Sequence, residues 1–541
     1  MDIPFNQLPD QSQLYTDYLY DFDKVSKYYN VDYSNDDALR NHFAKVAADF
    51  SPKRQRLVEL LREQNSRLNK SDGYENLMEL LSQDNALCIV TGQQVGLFCG
   101  PLYTLLKTVS AIKLAAELKT RFPDFEFVPV FWLESDDHDL DESNHIHLLN
   151  AASDVVRVES IFTDGDDENL HPLSEIKFDS SIEMVFQQVD ALLPATEFKP
   201  GLMKTLMDAY KEGETYATAF AGALTGFLGK NRILLIDPYD PRSKGLLKPI
   251  FEKEFQTYPR TSEEVIKQSA SLEEVYHVQV KPRVVNLFYI EDGLRRGLEP
   301  IGGGFSIRGT KRRLMPEQVR TIIGTRPQAF SPNVVLRPVC QDFLLPTGGY
   351  VAGPGEIAYF AQLKGVYQHF GVEMPPLFPR GSATFLERRI SRVMDKYRLE
   401  VTDAFNDFEV VMKKALAAAS PENIPEEFER VSDDIRTAFD RIQPLIERVD
   451  PTLKATVDQT ISRMIHQLEH LQEKTTAAYH RKNEQVLQQT RKFQQSIFPN
   501  KELQERVLNF TYFYNKYGES FMELLFRELP AYSDQHKVIE I

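Results

Sequence analysis

One segment constrains the fold more than any other, because residues 86–133 have the pattern of a strand, a glycine-bearing loop, a helix and a second strand. ALCIVT at 86–91 is a short apolar run of the kind that forms a buried parallel strand. Residues 102–119 repeat apolar side chains with helical periodicity, and FVPVFWL at 127–133 is another apolar run. Such a βαβ unit is right-handed. The segment therefore predicts an α/β protein with a parallel, Rossmann-like sheet.

The rest of the first 384 residues is consistent with one large core. Residues 1–80 have a polar, helical pattern and are predicted to cover the core as a layer, while 150–230 is helix-rich and acidic, as expected of an insertion. We predict a catalytic core at 1–384 that includes both. Further strands are predicted at RILLID (232–237), VVNLFYI (284–290) and NVVLRPV (333–339).

The sequence changes character at about residue 385, after which glycine almost disappears until Gly518. Asp450-Pro451 has the residue types of a helix start. Apolar positions then follow at steps of four and three, which is a heptad seam. We predict an antiparallel coiled-coil arm at 385–500 that forms a homodimer, and a segment at 501–541 that returns to the core. The seam residues are Val457, Ile461, Met464, Leu468, Leu471, Thr475 and Ala478.

Composition excludes some classes of function. The net charge is −16, which argues against a nucleic-acid or membrane-surface binder, since these need a basic face. We find neither a signal-peptide pattern nor an apolar stretch of about 20 residues, so the expected location is cytoplasmic. Cys88, Cys99 and Cys340 form no CxxC pair, which predicts neither disulfides nor a thiolate zinc site. Any thiol used in catalysis is expected to arrive with a substrate.

The loop TGQQVGLFCGPLYTLLK at 91–107 is the first candidate site. It leaves the carboxyl end of a strand and opens a helix, where ligands bind in such sheets. A helix start offers unpaired N–H groups and a positive dipole end to a phosphate or carboxylate, and Lys107 lies within two turns of it. The alternative is an ordinary βα turn before a helix that begins with proline.

The acidic block WLESDDHDLDESNHIH at 132–147 leaves the second strand, so we expect it beside the first loop. Carboxylates crowd around His138, and such crowding raises the pKa of a histidine and suits a general base. The same carboxylates would suit Mg²⁺, which prefers oxygen ligands. A solvated acidic loop that caps the next helix is the structural alternative.

Two further stretches are weaker candidates. In RPVCQDFLLPTGGYVAGPGEIAYF (337–360), Gln341 could line a pocket, whereas Glu356 in the first turn of a helix could serve stability alone. GGGFSIRGTKRR (302–313), preceded by Arg295 and Arg296, could hold a phosphate or a carboxylate, or form a plain exposed hairpin.

Taken together, these blocks resemble the signature stretches of the BshC family of bacillithiol cysteine ligases. The resemblance runs from about residue 80 to the C-terminus and includes TGQQVGLFCGPLYTLLK, PVFWLESDDHDLDE, SPNVVLRPVCQDFLLPT and AGPGEIAYFAQLKGVY. It implies a Rossmann-like core with connecting insertions, a coiled-coil arm that mediates dimerisation, and addition of cysteine to the amino group of glucosaminyl-malate. Asp136 stands where the family usually has Glu, and no HIGH or KMSKS motif is present.

Amide formation from a free acid in water is uphill, so ATP (bound as ATP or ADP) is the expected cofactor, with Mg²⁺ as an option and no tightly bound transition metal. The alternatives are a metal-dependent hydrolase that uses the Asp/His cluster, and a nucleotide-binding coiled-coil scaffold. The predicted catalytic residues are Asp137, His138 and Asp139, with the base acting on the attacking amine. The predicted substrate- and nucleotide-binding residues are Thr91, Gly92, Gln93, Gln94, Gly100, Tyr103, Thr104, Lys107, Trp132, Asp136, Gln341, Gly353 and Glu356.

Overall fold

A computed structural model describes residues 1–71, 73–161, 170–419 and 424–541. The chain divides into two compact units, one of Met1–Phe385 with Glu502–Ile539 and one of Leu386–Lys501 with Glu540–Ile541. The described strands are β1 (Asp2–Pro4), β2 (Ala86–Gln94), β3 (Glu126–Glu134), β4 (His145–Leu149), β5 (Val155–Glu159), β6 (Leu234–Ile236), β7 (Leu287–Glu291), β8 (Leu294–Ile301), β9 (Gly304–Ile307), β10 (Arg313–Leu314), β11 (Phe330–Pro332), β12 (Thr347–Ala352), β13 (Leu377–Pro379), β14 (Ser382–Leu386) and β15 (Gln535–Glu540).

Helices make up most of the remaining regular structure. Those of the first unit are α1 (Gln13–Tyr20), α2 (Asp36–Phe50), α3 (Arg54–Leu68), α4 (Glu75–Leu81), α5 (Leu102–Arg121), α6 (Leu140–Ser143), α7 (Ile182–Leu192), α8 (Lys199–Ala209), α9 (Tyr216–Leu228), α10 (Pro241–Thr257), α11 (Arg260–Glu273), α12 (Pro316–Thr325), α13 (Arg337–Leu344), α14 (Pro354–Phe360), α15 (Lys364–Phe370), α20 (Gln504–Val507), α21 (Thr511–Tyr517) and α22 (Glu519–Glu528). Those of the second unit are α16 (Arg388–Tyr397), α17 (Phe408–Ala419), α18 (Ile424–Val449) and α19 (Lys454–Ile497). The predicted helical character of residues 1–80 is confirmed by α1 to α4. That of 150–230 is confirmed by α7 to α9 in the described part of this range, and residues 162–169 lie outside the described residues.

A five-stranded parallel sheet in the order β13-β12-β2-β3-β6 forms the core of the first unit. β2 and β3 pair over nine residues, from Ala86 with Glu126 to Gln94 with Glu134, and α5 connects them. The predicted βαβ unit and the Rossmann-like fold class are therefore confirmed. The strand order changes direction between β2 and β12, and ligands bind at such switch points, outside the carboxyl ends of the strands.

The predicted strand at 333–339 is wrong. Asn333 turns the chain, because its side-chain oxygen accepts hydrogen bonds from the N–H groups of Val335 (3.0 Å) and Leu336 (3.2 Å). Helix α13 follows with Pro338 in its first turn, where proline is tolerated because those N–H groups have no partner within the helix. The strand of this region is β12, which contains Gly348 and Gly349. Gly349 is needed there, since a Cβ would lie 2.7 Å from the ring of Phe378.

The predicted strand at 284–290 does form, as β7, but not in the parallel sheet. It belongs to a five-stranded antiparallel sheet in the order β10-β9-β8-β7-β11. β8 and β9 form a hairpin through Gly302 and Gly303, whose φ values are +55° and +81°. The plain hairpin favoured for residues 302–313 is therefore what the structure contains.

In the second unit, α18 and α19 are joined by a tight turn in which the side chain of Asp450 accepts a hydrogen bond from the N–H of Thr452. The predicted helix start at Asp450-Pro451 is therefore confirmed. The heptad seam is only partly covered by the chain itself. Val457 is buried, whereas Met464 and Leu471 remain 44% and 55% exposed.

Candidate active site

A cavity of about 820 Å³ lies at the carboxyl ends of the parallel strands. β2 contributes Gln93 and Gln94, β3 contributes Trp132 and Glu134, and residues that follow β6, β12 and β13 complete the wall with Pro238, Gly353 and Arg380. Three candidate blocks predicted from the sequence, at 91–107, 132–147 and 337–360, therefore meet in one cavity. Gln93, Gln94, Tyr103, Lys107, Trp132, Asp136, Asp137, His138, Gly353 and Glu356 all line it.

Asp136 is neutralised by a buried partner. Both of its carboxylate oxygens accept hydrogen bonds from Lys244 Nζ, at 2.6 and 2.5 Å, and the Lys244 side chain is fully buried. Burial lowers the pKa of Lys244, and the negative charge of Asp136 opposes that shift. Helix α10 thus supplies the charge that holds this carboxylate at the cavity wall.

Asp137 is held as an anion by three donors. Its Oδ2 accepts a hydrogen bond from Gln94 Nε2 at 2.6 Å, and its Oδ1 accepts from the backbone N–H of His138 at 2.8 Å and lies 3.5 Å from Arg295 Nη1. Burial alone would raise the pKa of Asp137, but Arg295 and these hydrogen bonds hold it below its usual value. Asp137 therefore joins the β2 loop to the acidic block.

His138 has a defined tautomer. Arg295 Nη1 donates to His138 Nδ1 at 2.7 Å, and a guanidinium can only donate. Nδ1 is therefore the acceptor, and the proton of the neutral ring is on Nε2. Burial and the positive charge of Arg295 lower the pKa of His138. The pKa of His138 is therefore lowered, and not raised as we expected from the neighbouring carboxylates, and its Nε2–H is a hydrogen-bond donor in this geometry.

Arg295 is the centre of this cluster. Its Nε donates to Ser331 Oγ at 2.7 Å, its Nη2 donates to the carbonyl of Pro332 at 2.9 Å, and its guanidinium lies 3.8 Å from the centroid of the Phe288 ring. The side chain is 6% exposed. The antiparallel sheet thereby fixes the orientation of a histidine that follows the parallel sheet.

Asp139 does not line the cavity. Its side chain accepts a hydrogen bond from the N–H of Glu142 at 3.2 Å and caps α6, which is the structural role considered for the acidic loop. Within the described ranges, no three side chains of His, Cys, Asp or Glu are grouped as metal ligands would be. Asp137 and Asp139 thus have separate structural roles.

Lys107 lines the cavity, but its charge is already paired within the protein. It is 2% exposed, donates to the carbonyl of Gly92 at 2.5 Å and forms an ion pair with Glu356 at 2.7 Å. Burial lowers the pKa of Lys107, and Glu356 counteracts this. The negative charge of Glu356 is also held by the hydroxyl of Tyr350 at 2.6 Å and the N–H of Gly353 at 2.7 Å. The lysine that we predicted to bind substrate thus joins α5, β2 and α14.

The loop that precedes α5 is strained and clamped. Phe98, Cys99 and Gly100 all have positive φ, at +45°, +65° and +68°, and non-glycine residues in this region cost about 1–3 kcal/mol each. The side chain of Asn509 donates to the carbonyls of Phe98 (2.9 Å) and Gly100 (2.5 Å). The hydroxyl of Tyr210 donates to the carbonyl of Gly96.

The start of α5 is also covered, since the N–H of Leu102 donates to the carbonyl of Leu508 at 2.9 Å. The helix start predicted to hold an anion therefore has a protein carbonyl against it.

Several predicted binding residues stabilise the fold and do not line the cavity. The Thr91 hydroxyl donates to the carbonyl of Val351, and a Cβ on Gly92 would lie 2.9 Å from the carbonyl of Trp132. Gln341 donates to its neighbour Asp342. The residues outside the cavity wall are Thr91, Gly92, Gly100, Thr104, Asp139 and Gln341.

The chain matches two family models that together span it. The one described as "Bacillithiol biosynthesis BshC, N-terminal Rossmann-like domain" matches residues 1–381, and the one described as "Bacillithiol biosynthesis BshC, C-terminal coiled-coil domain" matches 383–541. The chain belongs to the BshC family.

Curated relatives align with this chain over nearly their whole length. Each of those cited here is named "Putative cysteine ligase BshC". One from Chlorobaculum tepidum is 36% identical over 98% of this chain and 97% of the relative. One from Salinibacter ruber is 33% identical over 98% of this chain and 96% of the relative. One from Bacillus cereus is 29% identical over 90% of this chain and 91% of the relative. Among the described residues, no helix combines the length and apolar character needed to cross a membrane.

In this BshC-family chain, several of the cavity residues that the sequence did not suggest are charged. Glu134 forms an ion pair with Arg337 at 3.2 Å, and Arg380 with Glu505 at 2.6 Å. Glu134 was within reach of the sequence argument, because it ends β3 directly after an apolar run. The arginines follow no pattern in the sequence. The charged residues among those missed are Glu134, Glu142, Lys281, Arg283, Arg337, Arg380 and Arg506.

Proposed function

We propose that this protein is a ligase of bacillithiol biosynthesis that forms an amide bond between the carboxyl group of L-cysteine and the amino group of glucosaminyl-malate, using ATP. The observation that carries the proposal is the cavity at the carboxyl edge of the sheet, in a chain that matches the BshC family from end to end. Family membership and the names of its relatives support cysteine ligation and a new carbon–nitrogen bond. The acceptor and the nucleotide are our own assignment.

The cavity suits this chemistry in size and charge. A volume of about 820 Å³ is within the range of ligand pockets and is large for cysteine alone. Its wall combines amide side chains, such as Gln93 and Gln94, with several cations. Such a surface can bind carboxylates and phosphates, which the proposed substrates carry. ATP would supply the free energy that condensation of a free acid with an amine lacks in water.

The cysteine thiol of the product comes from the substrate in this proposal. Cys88, Cys99 and Cys340 are all buried and unpaired, and burial raises the pKa of each thiol, to about 12 for Cys88. A buried neutral thiol is a poor nucleophile. The chain's own cysteines are therefore suited to packing.

We assign proton acceptance to Glu142 in place of His138. Glu142 lines the cavity, and partial burial together with the carboxylates of Asp139 and Asp137 raises its pKa. A base whose pKa approaches the working pH is more effective, and general base catalysis contributes about 10²–10⁴-fold in rate. The amine of glucosamine must lose a proton before it attacks. Glu142→Gln should therefore lower kcat by about that factor. The matched control is Asp141→Asn, which changes the neighbouring carboxylate that does not line the cavity.

The experiment that tests the function is a reconstituted reaction. Purified protein is incubated with cysteine, ATP, Mg²⁺ and glucosaminyl-malate, and the product thiol is identified by its mass. We expect product only when all the substrates are present. Omission of Mg²⁺ tests the metal requirement directly. A chain that binds the substrates but forms no amide under any of these conditions contradicts the proposal and favours the scaffold alternative.

Dimerisation through the arm is a separate proposal. Ile442 and Leu445 on α18 are 45% and 58% exposed. Met464 and Leu471 on α19 are 44% and 55% exposed. Exposed apolar side chains along a heptad seam favour association with another helix. A second copy of the chain would cover them.

A further inference from the structure

The cations that line the cavity differ in whether the protein already uses their charge. Lys107 pairs with Glu356, Arg295 with Asp137, Arg337 with Glu134 and Arg380 with Glu505. Arg506 lies 3.3 Å from Glu502. Each of these side chains would have to give up a protein carboxylate before it bound a substrate anion. They are therefore poor candidates for the recognition of an anionic group.

Lys281 and Arg283 are different. Both line the cavity and are exposed, and among the described residues neither has an ion-pair partner or a side-chain hydrogen bond. They lie in the segment that leads into β7, without helix or strand. Their positive charge is thus available to a ligand.

Phe288 holds Arg283 close to the site. The guanidinium of Arg283 lies 4.9 Å from the centroid of the Phe288 ring, and the ring of His138 lies 5.8 Å from the same ring. Arg295 also packs on this ring, at 3.8 Å. Stacking on an aromatic ring orients a guanidinium and leaves its N–H groups free to donate. A charged donor without an ion-pair partner among the described residues therefore packs on the same ring as His138.

His138 adds a neutral donor to these cations. Since its Nδ1 accepts from Arg295, its Nε2 carries a proton. We propose that Arg283, Lys281 and the Nε2–H of His138 form an anion subsite that binds a carboxylate or phosphate group of a substrate. The inference rests on the proposed function only for the source of that group, which is either the dicarboxylate end of the acceptor or the phosphates of the nucleotide.

The single tryptophan of the chain makes this subsite measurable without turnover. Trp132 lines the cavity, so its fluorescence is a reporter of ligand binding there. L-malate and ADP are the two probes, and they distinguish a carboxylate source from a phosphate source. Calorimetric titration of the same probes measures binding that leaves the fluorescence unchanged.

Arg283→Gln and Lys281→Gln should each weaken binding of one of the two probes by about 10–100-fold, as expected for the loss of a hydrogen bond to a charged group. Lys311→Gln and Arg313→Gln remove the same charge from exposed positions outside the cavity, and should leave the Kd within about twofold. His138→Gln keeps a side-chain N–H donor and should bind more tightly than His138→Leu.

Equal Kd values for Arg283→Gln and the control variants, with both probes, would overturn the subsite. This failure is distinct from failure of the proposed function. Binding that depends on Arg283 in a protein that makes no amide product would leave the subsite standing and remove the ligase assignment. Wild-type kcat and KM for all substrates in the Arg283→Gln and Lys281→Gln variants would remove the subsite and leave the ligase assignment standing.

Discussion

Replacement of Lys107 by methionine tests whether this lysine is part of the fold or part of substrate binding. Methionine preserves much of the buried volume but removes the charge from a side chain that is 2% exposed. Glu356 would then keep two donors, Tyr350 and the N–H of Gly353, and lose its only ion-pair partner among the described residues. Breaking a buried ion pair by removing one partner costs about 3–5 kcal/mol.

We therefore expect Lys107→Met to reduce the free energy of unfolding by about 3–5 kcal/mol. Urea unfolding followed by Trp132 fluorescence is the appropriate assay, since the only tryptophan lies on β3 and reports on the unit that contains the pair. Glu356→Gln leaves the lysine charge buried and should also be destabilising. The double variant should cost less than the sum of the two single changes, because contacting residues couple by about 0.5–3 kcal/mol.

The matched control is Lys45→Met, which removes a lysine that is 54% exposed and paired with Glu373 on the surface. Exposed pairs contribute at most about 1 kcal/mol. If Lys107→Met lowers the free energy of unfolding by no more than about 1 kcal/mol, the ion pair of this lysine does not stabilise the fold. In that case it becomes available again as the anion-binding residue that the sequence suggested.

Three further predictions concern other parts of the molecule. Arg295→Met should raise the pKa of His138, because it removes the positive charge that helps to lower this pKa. NMR titration of the histidine ring signals measures the shift, and an unchanged pKa would show that Arg295 does not contact His138 in solution. Burial lowers the pKa values of His42 and His536 to about 4, from a usual value of about 6.5. Between these pH values the unfolded chain binds more protons than the folded chain, so stability should fall as the pH drops from about 6.5 to 4. A His42→Gln variant with the same acid sensitivity as wild type would count against this. Removal of residues 425–495 should convert a dimer into a folded monomer, and light scattering that finds only monomer for the intact chain would reject the dimer.

The α/β core was predictable because its signals are local. β2 and β3 are apolar runs of strand length, and the segment between them has the periodicity of a helix. Both ends of this unit were predicted to within a few residues. The parallel pairing then brought Gln94 next to the loop that carries Asp137, as the shared carboxyl edge requires. The strand predicted at 333–339 failed because an apolar run cannot distinguish a strand from a buried helix, and the turn at Asn333 decides between them.

The chemistry of the site was less predictable, since it depends on contacts between distant residues. The tautomer of His138 is set by Arg295, 157 positions away. The start of α5 is covered by Leu508, and the loop before it is clamped by Asn509, both from the C-terminal segment. Neither contact leaves a periodic signal. Predicted roles for isolated residues, such as the anion contact of Lys107, therefore stay predictions, because the sequence does not show which protein partners already hold these side chains.

The most direct test of the central claim compares two neighbouring arginines in the reconstituted ligase reaction. Arg295 points into the cavity and holds Asp137 and His138, whereas Arg296, the next residue on β8, does not line the cavity and donates to the carbonyl of Arg308. A displacement of the reacting groups by about 1 Å can lower the rate by about 10²-fold. We predict that Arg295→Met lowers the rate of product formation by at least about that factor, while Arg296→Met stays within about threefold of wild type. Product formation at the wild-type rate by a folded Arg295→Met protein would contradict the placement of the reaction in this cavity.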